Sequence, residues 1–455
     1  QTIKEQDEQL QQAKAVQAAD IDEAARRCYS YHETFLAQHL NDTAAYYLAL
    51  RASMDTTNID WQVDAGKFYL EYVANYDKAM SFFNTALRQA QLQDNPSSIA
   101  KVHNTFGTLY FAKGDFVNAL ENQQTALETY EKNMGKDLAF VADVNNNIGL
   151  IYIRLSELSN ALACFTTALD IRERIFGKNA IELASVYRNI GLVYEDQNDN
   201  DKALEYYLKA LEIQEKVLGP DHKDLLMTYN SLGLAYSDKA DYEKALEYHH
   251  KCLNILETIY GKDHPFIAVT YGNIGWVYYE QGNYAKALEY FQTDLEKSKK
   301  TYGENQHHVG TCYYHLGIAY NALNDNSKAI EYYNKSLVIR KKAYGEEHPK
   351  VVAVYTNLTK VYYEENNFDK AIEYALIALT IQGKMYGEDS PKLINSLYNI
   401  GSIYKKQGNY TKALEYYRQS LQIQTNKFRE DHPNVIKTRE TIAEIEAKMK
   451  EQGEE

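Results

Sequence analysis

A chain of 455 residues with a formal charge of −14 and a pI near 5.4 is a poor match for a nucleic-acid backbone, and no apolar run reaches the length of a membrane span. The four cysteines (Cys28, Cys164, Cys252 and Cys312) show no paired spacing, and no signal-peptide pattern opens the sequence, so buried thiols in a reducing, cytoplasmic setting are expected. The 41 tyrosines suit a structure built from repeated aromatic packing.

Residues 1 to 20 are polar, lack an initiator Met and carry no sustained heptad. They read as a frayed, solvated helix at the start of a processed product or of a piece of something longer. Ile21 to Leu40 and Ala44 to Met54 read as two helices separated by Asn41-Asp42. As a segment spanning 1–59 they form either a divergent first hairpin or a cap; both are compatible with the sequence.

From Asp60-Trp61 onward the chain repeats. Gly107, Gly149, Gly191, Gly233, Gly275, Gly317 and Gly401 are spaced by 42 residues or a multiple, with Thr359 in the remaining slot. Three residues later stand Tyr110, Tyr152, Tyr194, Tyr236, Tyr278, Tyr320, Tyr362 and Tyr404, and nine further on Ala119 through Ala413. A fixed period of this length marks stacked helical repeats. Turn residues such as Gln281-Gly282-Asn283 stop one helix, and apolar residues recur at helical spacing on both sides. The unit is therefore a hairpin of helices A and B. The glycine and alanine columns mark where the two helices approach too closely for larger side chains, and the tyrosine column is expected to fill the gap between repeats. The first repeat carries Ala79 but places Lys67 and Leu70 in the glycine and tyrosine slots. Pro96-Ser97-Ser98 precedes the second repeat, and the register is constant from Ala100.

Between repeats, segments such as Gly261-Lys262-Asp263-His264-Pro265 and Gly387-Glu388-Asp389-Ser390-Pro391 read as a glycine helix stop, an Asp or Ser cap and a first-turn proline. Residues 434 to 450 read as a final amphipathic helix that covers the last repeat with Ile436, Ile442, Ile445 and Met449, followed by a polar tail.

This arrangement resembles the tetratricopeptide repeat over residues 60–432, with 433–455 as a C-terminal cap. The 42-residue form, with Asn-Ile-Gly in helix A and Tyr-Gly-Lys-Asp-His-Pro in the linker, is similar to the repeats of kinesin light chain. The resemblance implies an all-α, right-handed superhelical α-solenoid of about nine helix-turn-helix repeats, whose A helices line a concave groove. It also implies that asparagines in helix A hold the main chain of an extended peptide. The matching positions are Asn147, Asn189, Asn273, Asn357 and Asn399, two before the glycine slot, with Asn104, Asn146 and Asn230 one residue earlier. One amide offers both a donor and an acceptor to a peptide unit. The rival reading is that these amides tie one A helix to the next. In the same register Trp276, Tyr279, Tyr314 and Tyr398 are candidate aromatic anchors. Glu195, Asp196, Asp238, Glu280 and Glu364 line the same surface and read either as a solvated acidic face or as a site for a basic ligand.

One repeat departs from the pattern. Asp294 replaces an alanine, Lys297 replaces an isoleucine, and the linker at Gly303 lacks its proline. Asp294 and Lys297, three apart on a helix, are within pairing reach, and such departures mark function or strain or arise by drift. Linker histidines recur a whole repeat apart, too far to share an ion, and the adjacent pairs His249-His250 and His307-His308 point in different directions on a helix. Phosphate-loop, HExxH, CxxC and GxSxG patterns are missing from the sequence. The expectation is a non-enzymatic protein- or peptide-binding scaffold or adaptor, without cofactor, metal, nucleic-acid or membrane partner. The alternative is the sensing arm of a larger signalling or defence enzyme; a self-associating scaffold is a third reading.

Overall fold

In a computed structural model, residues 21–33, 41–134, 139–262, 264–304 and 306–452 are described, and among them all regular structure is helical. The expectations for residues 1–20 and for the extreme C-terminal tail lie outside the described residues. The chain divides into two compact units, Gln1–Pro220 and Asp221–Glu455.

The first unit opens with α1 (21–33) and α2 (Asn41–Met54). Four hairpins follow: α3 (Ile59–Glu71) with α4 (Tyr76–Leu92), α5 (Pro96–Lys113) with α6 (Phe116–Met134), α7 (Ala139–Arg154) with α8 (Leu158–Phe176), and α9 (Ala184–Asp196) with α10 (Asn200–Leu218). The second unit holds five: α11 (Leu226–Asp238) with α12 (Tyr242–Tyr260), α13 (Pro265–Glu280) with α14 (Tyr284–Tyr302), α15 (His307–Ala322) with α16 (Asn326–Tyr344), α17 (Pro349–Glu364) with α18 (Phe368–Tyr386), and α19 (Ile394–Gln407) with α20 (Tyr410–Lys427). Helix α21 (Pro433–Gln452) packs on α20. In each unit the second helix of a hairpin also packs on the first helix of the next, so neighbours cover each other's apolar faces.

Most hairpins are closed by one kind of contact. A Cβ added at Gly275 would lie 2.7 Å from the ring of Phe291, and at Gly317 2.6 Å from the ring of Tyr333. Gly149 faces Phe165, Gly191 faces Tyr207, Gly233 faces His249 and Gly401 faces Tyr417 in the same way. The bare glycine backbone is the seat for a ring 16 residues on, and nearly all these rings are fully buried. Where Thr359 takes the glycine slot, the ring position holds the small, buried Ala375, so bulk has moved from one helix to the other. The first repeat obeys the rule one residue early. Gly66, not Lys67, faces Phe83, and Tyr69, not Leu70, stacks on Phe82 at 5.8 Å. Its turn carries one extra residue, which the alignment on Ala79 concealed.

The tyrosine column works inside the hairpin as well as at the junction between repeats, where Tyr320 accepts from Gln292 of the preceding repeat at 3.4 Å and Tyr152 packs against the cluster that holds Ala126. Tyr236 of α11 stacks on Tyr248 of α12 at 5.7 Å and 7°, and Tyr320 of α15 on Tyr332 of α16 at 5.3 Å and 3°. The lysine of the following turn caps the pair, with Lys244 Nζ 4.9 Å from the Tyr236 ring, a contribution of about 0.5–1 kcal/mol at an exposed site. That lysine's own backbone N–H is held by the turn's aspartate or asparagine. Asp241 accepts from Lys244 at 3.3 Å and Asn283 from Lys286 at 3.2 Å, each an N-cap worth about 1 kcal/mol.

The linkers meet the expectation for their glycines and for the Ser390 cap and differ where an Asp cap was expected. The glycines do end the second helices, Gly261 at φ 77° donating to Glu257 O at 3.2 Å. The residue that caps the next helix is the histidine. His348 Nδ1 accepts from Lys350 N at 3.1 Å and His432 Nδ1 from Asn434 N at 3.2 Å, while Ser390 does the same in its linker. The ring also stacks on the aromatic that ends the preceding helix, Tyr344–His348 at 4.6 Å and Phe428–His432 at 4.3 Å. Two terminal details also shift. Asn41-Asp42 lies within α2, and the expectation for residues 34–40 lies outside the described residues. In α21, Val435 and Ile445 are buried, Ile442 and Met449 are partly buried against the core, and Ile436 is exposed.

His249 occupies the ring column that Phe and Tyr hold elsewhere, is fully buried, and has no partner for either ring nitrogen among the described residues. Burial, with a smaller push from His250, lowers its pKa from 6.5 to about 4; burial lowers His315 likewise to about 4. Between these values the unfolded chain binds protons that the folded chain refuses. Stability should therefore be full above pH 6.5 and fall as pH drops toward 4, by up to about 1.4 kcal/mol per pH unit for each histidine. His249→Phe should raise the urea midpoint and remove one histidine's share of that slope. Gly275→Ala should cost about 1–3 kcal/mol through overpacking against Phe291. Gly383→Ala, whose added Cβ meets nothing within 4 Å, should gain about 0.5–1 kcal/mol. An unchanged midpoint in Gly275→Ala would contradict the close approach.

Candidate functional site

The first helices present their amides to one another. In the first unit Asn147 Nδ2 donates to Asn104 Oδ1 at 2.9 Å, and Asn189 Nδ2 to Asn146 Oδ1 at 2.8 Å. In the second, Asn273 Nδ2 donates to Asn230 Oδ1 at 2.8 Å, and Asn357 Nδ2 to the Tyr314 hydroxyl at 2.7 Å. All four partners are 43 residues apart, one more than the repeat, because the donor column of one A helix meets the acceptor column one residue earlier on the preceding one. Tyr398 approaches Thr441 with the same offset at 3.5 Å. A second level lies seven residues, or two helical turns, further along. There Ser237 Oγ donates to Glu280 at 2.7 Å and Asn321 Nδ2 to Glu364 at 2.7 Å. Both columns were visible in the sequence. The offset of 43 that couples them was the signal that went unread.

The candidate residues differ in what remains accessible. Asn189 is 1% exposed, and its rung with Asn146 is closed. Asn146, Asn147, Asn230, Asn273 and Asn357 are half-buried, and Asn399 is exposed. Asn147 and Asn273 spend one N–H on the neighbour and keep a second N–H and the carbonyl oxygen. Asn146 and Asn230 accept through their oxygen and keep their N–H groups, and Asn357 donates also to Ala353 O at 3.2 Å and keeps its oxygen.

Beside the Asn230–Asn273 rung the aromatic candidates gather. Trp276 stacks on Tyr279 at 5.2 Å and 22° and lies 5.6 Å from His315. Its indole N–H donates to Glu280 at 2.9 Å, so both oxygens of Glu280 are engaged. Tyr279 touches Tyr284 at 5.2 Å. Tyr314 carries the Arg340 guanidinium 4.1 Å from its ring centre, and Tyr398 meets Tyr417 edge-on at 5.0 Å. Trp276, Tyr279, Tyr314 and Tyr398 all pack against one core while remaining partly open. Asp238 sits near this surface with its carboxyl raised above the usual range, by burial first and by Glu280 second. Of the other acidic residues, Glu364 pairs with Lys360 at 3.8 Å, and Glu195 accepts from the Tyr207 hydroxyl.

The irregular repeat is arranged otherwise than expected. Asp294 does not pair with Lys297, which donates instead to Lys262 O at 3.0 Å. Asp294 Oδ1 accepts from Ser298 Oγ at 2.9 Å and lies 3.3 Å from His308 Nε2.

A tetratricopeptide repeat profile matches residues 140–216, 182–258, 224–296, 281–342, 327–384 and 392–454. Among solved structures, a Rap protein complexed with competence and sporulation factor is 15% identical with a TM-score of 0.51, the match covering 82% of this chain and 99% of that one. A signal transduction ATPase with numerous domains and a tetratricopeptide repeat sensor, from Pyrococcus horikoshii, is 16% identical with a TM-score of 0.54 over 79% of this chain and 52% of that one. Kinesin light chain nearly identical repeats from Podosopora anserina align at 16% identity and a TM-score of 0.40 over 46% of this chain and 98% of theirs. At these identities the likeness is one of fold. No curated protein sequence matches the chain. No described helix is long and apolar enough to cross a membrane.

The rung between Asn230 and Asn273 is open to a double-mutant cycle. Single alanine substitutions and the pair, followed by urea denaturation, should give a coupling of about 0.5–1.5 kcal/mol, whereas Asn399→Ala should stay within about 0.5 kcal/mol of the parent. Additive effects at 230 and 273 would exclude the rung.

Proposed function

The chain belongs to the tetratricopeptide repeat family, and from that premise we propose that it is a protein- or peptide-binding scaffold whose first-helix faces receive an extended segment of a partner. The observation that carries the reading is the Asn230–Asn273 rung beside the partly open Trp276–Tyr279 stack in the second unit. The rung fixes two amides in orientation before any partner arrives, which lowers the ordering cost of binding. Rigid aromatics beside them offer apolar anchorage of the kind that dominates interfaces. Asp238, raised by burial and by Glu280, would be relieved by a cation, which favours a segment bearing lysine or arginine. Asn357 and Tyr314 extend the same set of groups within that unit, with Tyr398 and Asn399 beyond them along the chain. Asn146 and Asn147 are the corresponding groups of the first unit, while the closed Asn189 serves to hold Asn146 in place.

A second reading, the sensing arm of a larger signalling protein, is in line with the likeness to an ATPase that carries a tetratricopeptide repeat sensor. The length of the parent reading frame discriminates the two.

Panning short random peptides displayed on phage against the whole chain should enrich sequences that combine basic and apolar residues. Trp276→Ala should then weaken a selected peptide by about 2 kcal/mol, some 30-fold in Kd, and Glu280→Gln should reduce the preference for basic residues. No enrichment, or equal affinity for parent and Trp276→Ala, would refute this site.

A further inference from the structure

The departures of the irregular repeat converge on one point in the second unit. Asp294 comes from α14, one turn before Ser298, and His308 and Cys312 come from α15, four residues apart and so on one helical face. One donor atom each from Asp294, His308 and Cys312 lies within 4.8 Å of the other two. The Cys312 thiol also reaches Ser298 Oγ at 3.7 Å. Asp294 is 2% exposed, and Cys312 and Ser298 are fully buried, whereas the His308 side chain is 23% exposed and opens the cluster to solvent. Gly272 completes the arrangement. A Cβ there would lie 2.8 Å from Asp294 Oδ2, and the corresponding positions of the neighbouring repeats hold Asn230 and Tyr314. Glycine at 272 is what admits a carboxylate where other repeats carry Ala126, Ala168, Ala210 or Ala378.

We propose that Asp294, His308 and Cys312 form a zinc-type site that ties α14 to α15. The donor set is one carboxylate oxygen, one imidazole nitrogen and one sulfur, which suits a borderline ion such as Zn²⁺ and not the all-oxygen shells of Ca²⁺ or Mg²⁺. At zinc bond lengths of about 2.0–2.3 Å a tetrahedral shell sets its donors roughly 3.4–3.8 Å apart. The 3.3 Å separation of Asp294 Oδ1 and His308 Nε2 is already close to that, and the thiol needs to close a gap of less than 4.8 Å by a small rotation. Binding releases the thiol proton to solvent. A dication with one thiolate, one carboxylate and a neutral imidazole then carries no net charge, which offsets the cost of burying the carboxylate beyond what Ser298 and His308 already offset. Ser298 or a water entering past His308 supplies the fourth position. A buried Asp–His pair accounts for Gly272, which makes room for the carboxylate, and the Cys312 thiol also reaches His308 O at 3.3 Å; what such a pair leaves unused is the thiol's place within 4.8 Å of both other donors.

The full chain, stripped with chelator under reducing conditions, is titrated with Co²⁺ and followed by absorption. One equivalent should produce a thiolate-to-cobalt charge-transfer band that Zn²⁺ abolishes, and affinity should fall with pH as the ligands protonate. Cys312→Ser should remove the band, and Asp294→Ala, which installs the residue other repeats use, should weaken binding by more than about 100-fold, beyond the effect of outer-shell changes. Cys164→Ser should change nothing, and far-UV circular dichroism should be the same for all chains. No band in the parent chain, or a band that survives Cys312→Ser, overturns the assignment.

Discussion

The close seat of a ring on a glycine backbone is the contact on which everything else in this protein depends. It sets the distance between the two helices of a hairpin, and with that distance fixed the tyrosine pair one turn away meets face to face. The lysine of the turn then falls over the pair because the turn's Asx residue has pinned the lysine's backbone N–H. Any side chain at the glycine would wedge the helices apart and loosen all three contacts at once. The exception tests the rule. At Thr359 the bulk is on the first helix, and its counterpart is Ala375.

Once hairpin geometry is constant, consecutive first helices within a unit meet in one register, and the same kind of hydrogen bond can recur at several steps. The 43-residue offset is the outcome. Each rung is worth only about 0.5–1.5 kcal/mol net, small beside the burial of a ring, so its value lies in orientation. A rung holds two amides still while leaving part of their bonding capacity unspent. Structure and recognition are therefore compatible uses of one side chain at Asn230 and Asn273, and the two readings of these asparagines need not compete. At Asn189, where exposure is 1%, only the structural use remains.

Departures from a repeating sequence gain meaning from where they meet. Gly272, Asp294, His308 and Cys312 are scattered over some forty residues of sequence, and only helix packing shows that they share one spot. Gln123 behind Gly107 and His249 behind Gly233 are departures of another kind, polar groups placed in a ring's seat without any such gathering of neighbours. His249 has no bonded partner among the described residues, and the imidazole has the shape of the missing ring without its apolar character.

What the sequence by itself determined was everything that repeats: the helical hairpin, its period, the glycine and alanine columns and the family. A column read over eight copies averages out local noise, and period and small-residue spacing are one-dimensional facts. The sequence also supplied both asparagine columns and the aromatic positions. What only tertiary structure decided was which columns meet. Besides meeting the preceding repeat, the tyrosine column stacks within its own hairpin, because that partner is set by how the helices turn back, a matter of angle and not of spacing. The linker histidines cap helices because their rings stack on the preceding aromatic and aim Nδ1 at a backbone N–H, an orientation invisible in Asp-His-Pro. The first repeat's shift to Gly66 and Tyr69 follows from one extra turn residue, which an alignment on a single alanine cannot detect. Asp294 chose His308 over Lys297 because burial, which no linear spacing encodes, puts the carboxylate within reach of one and not the other.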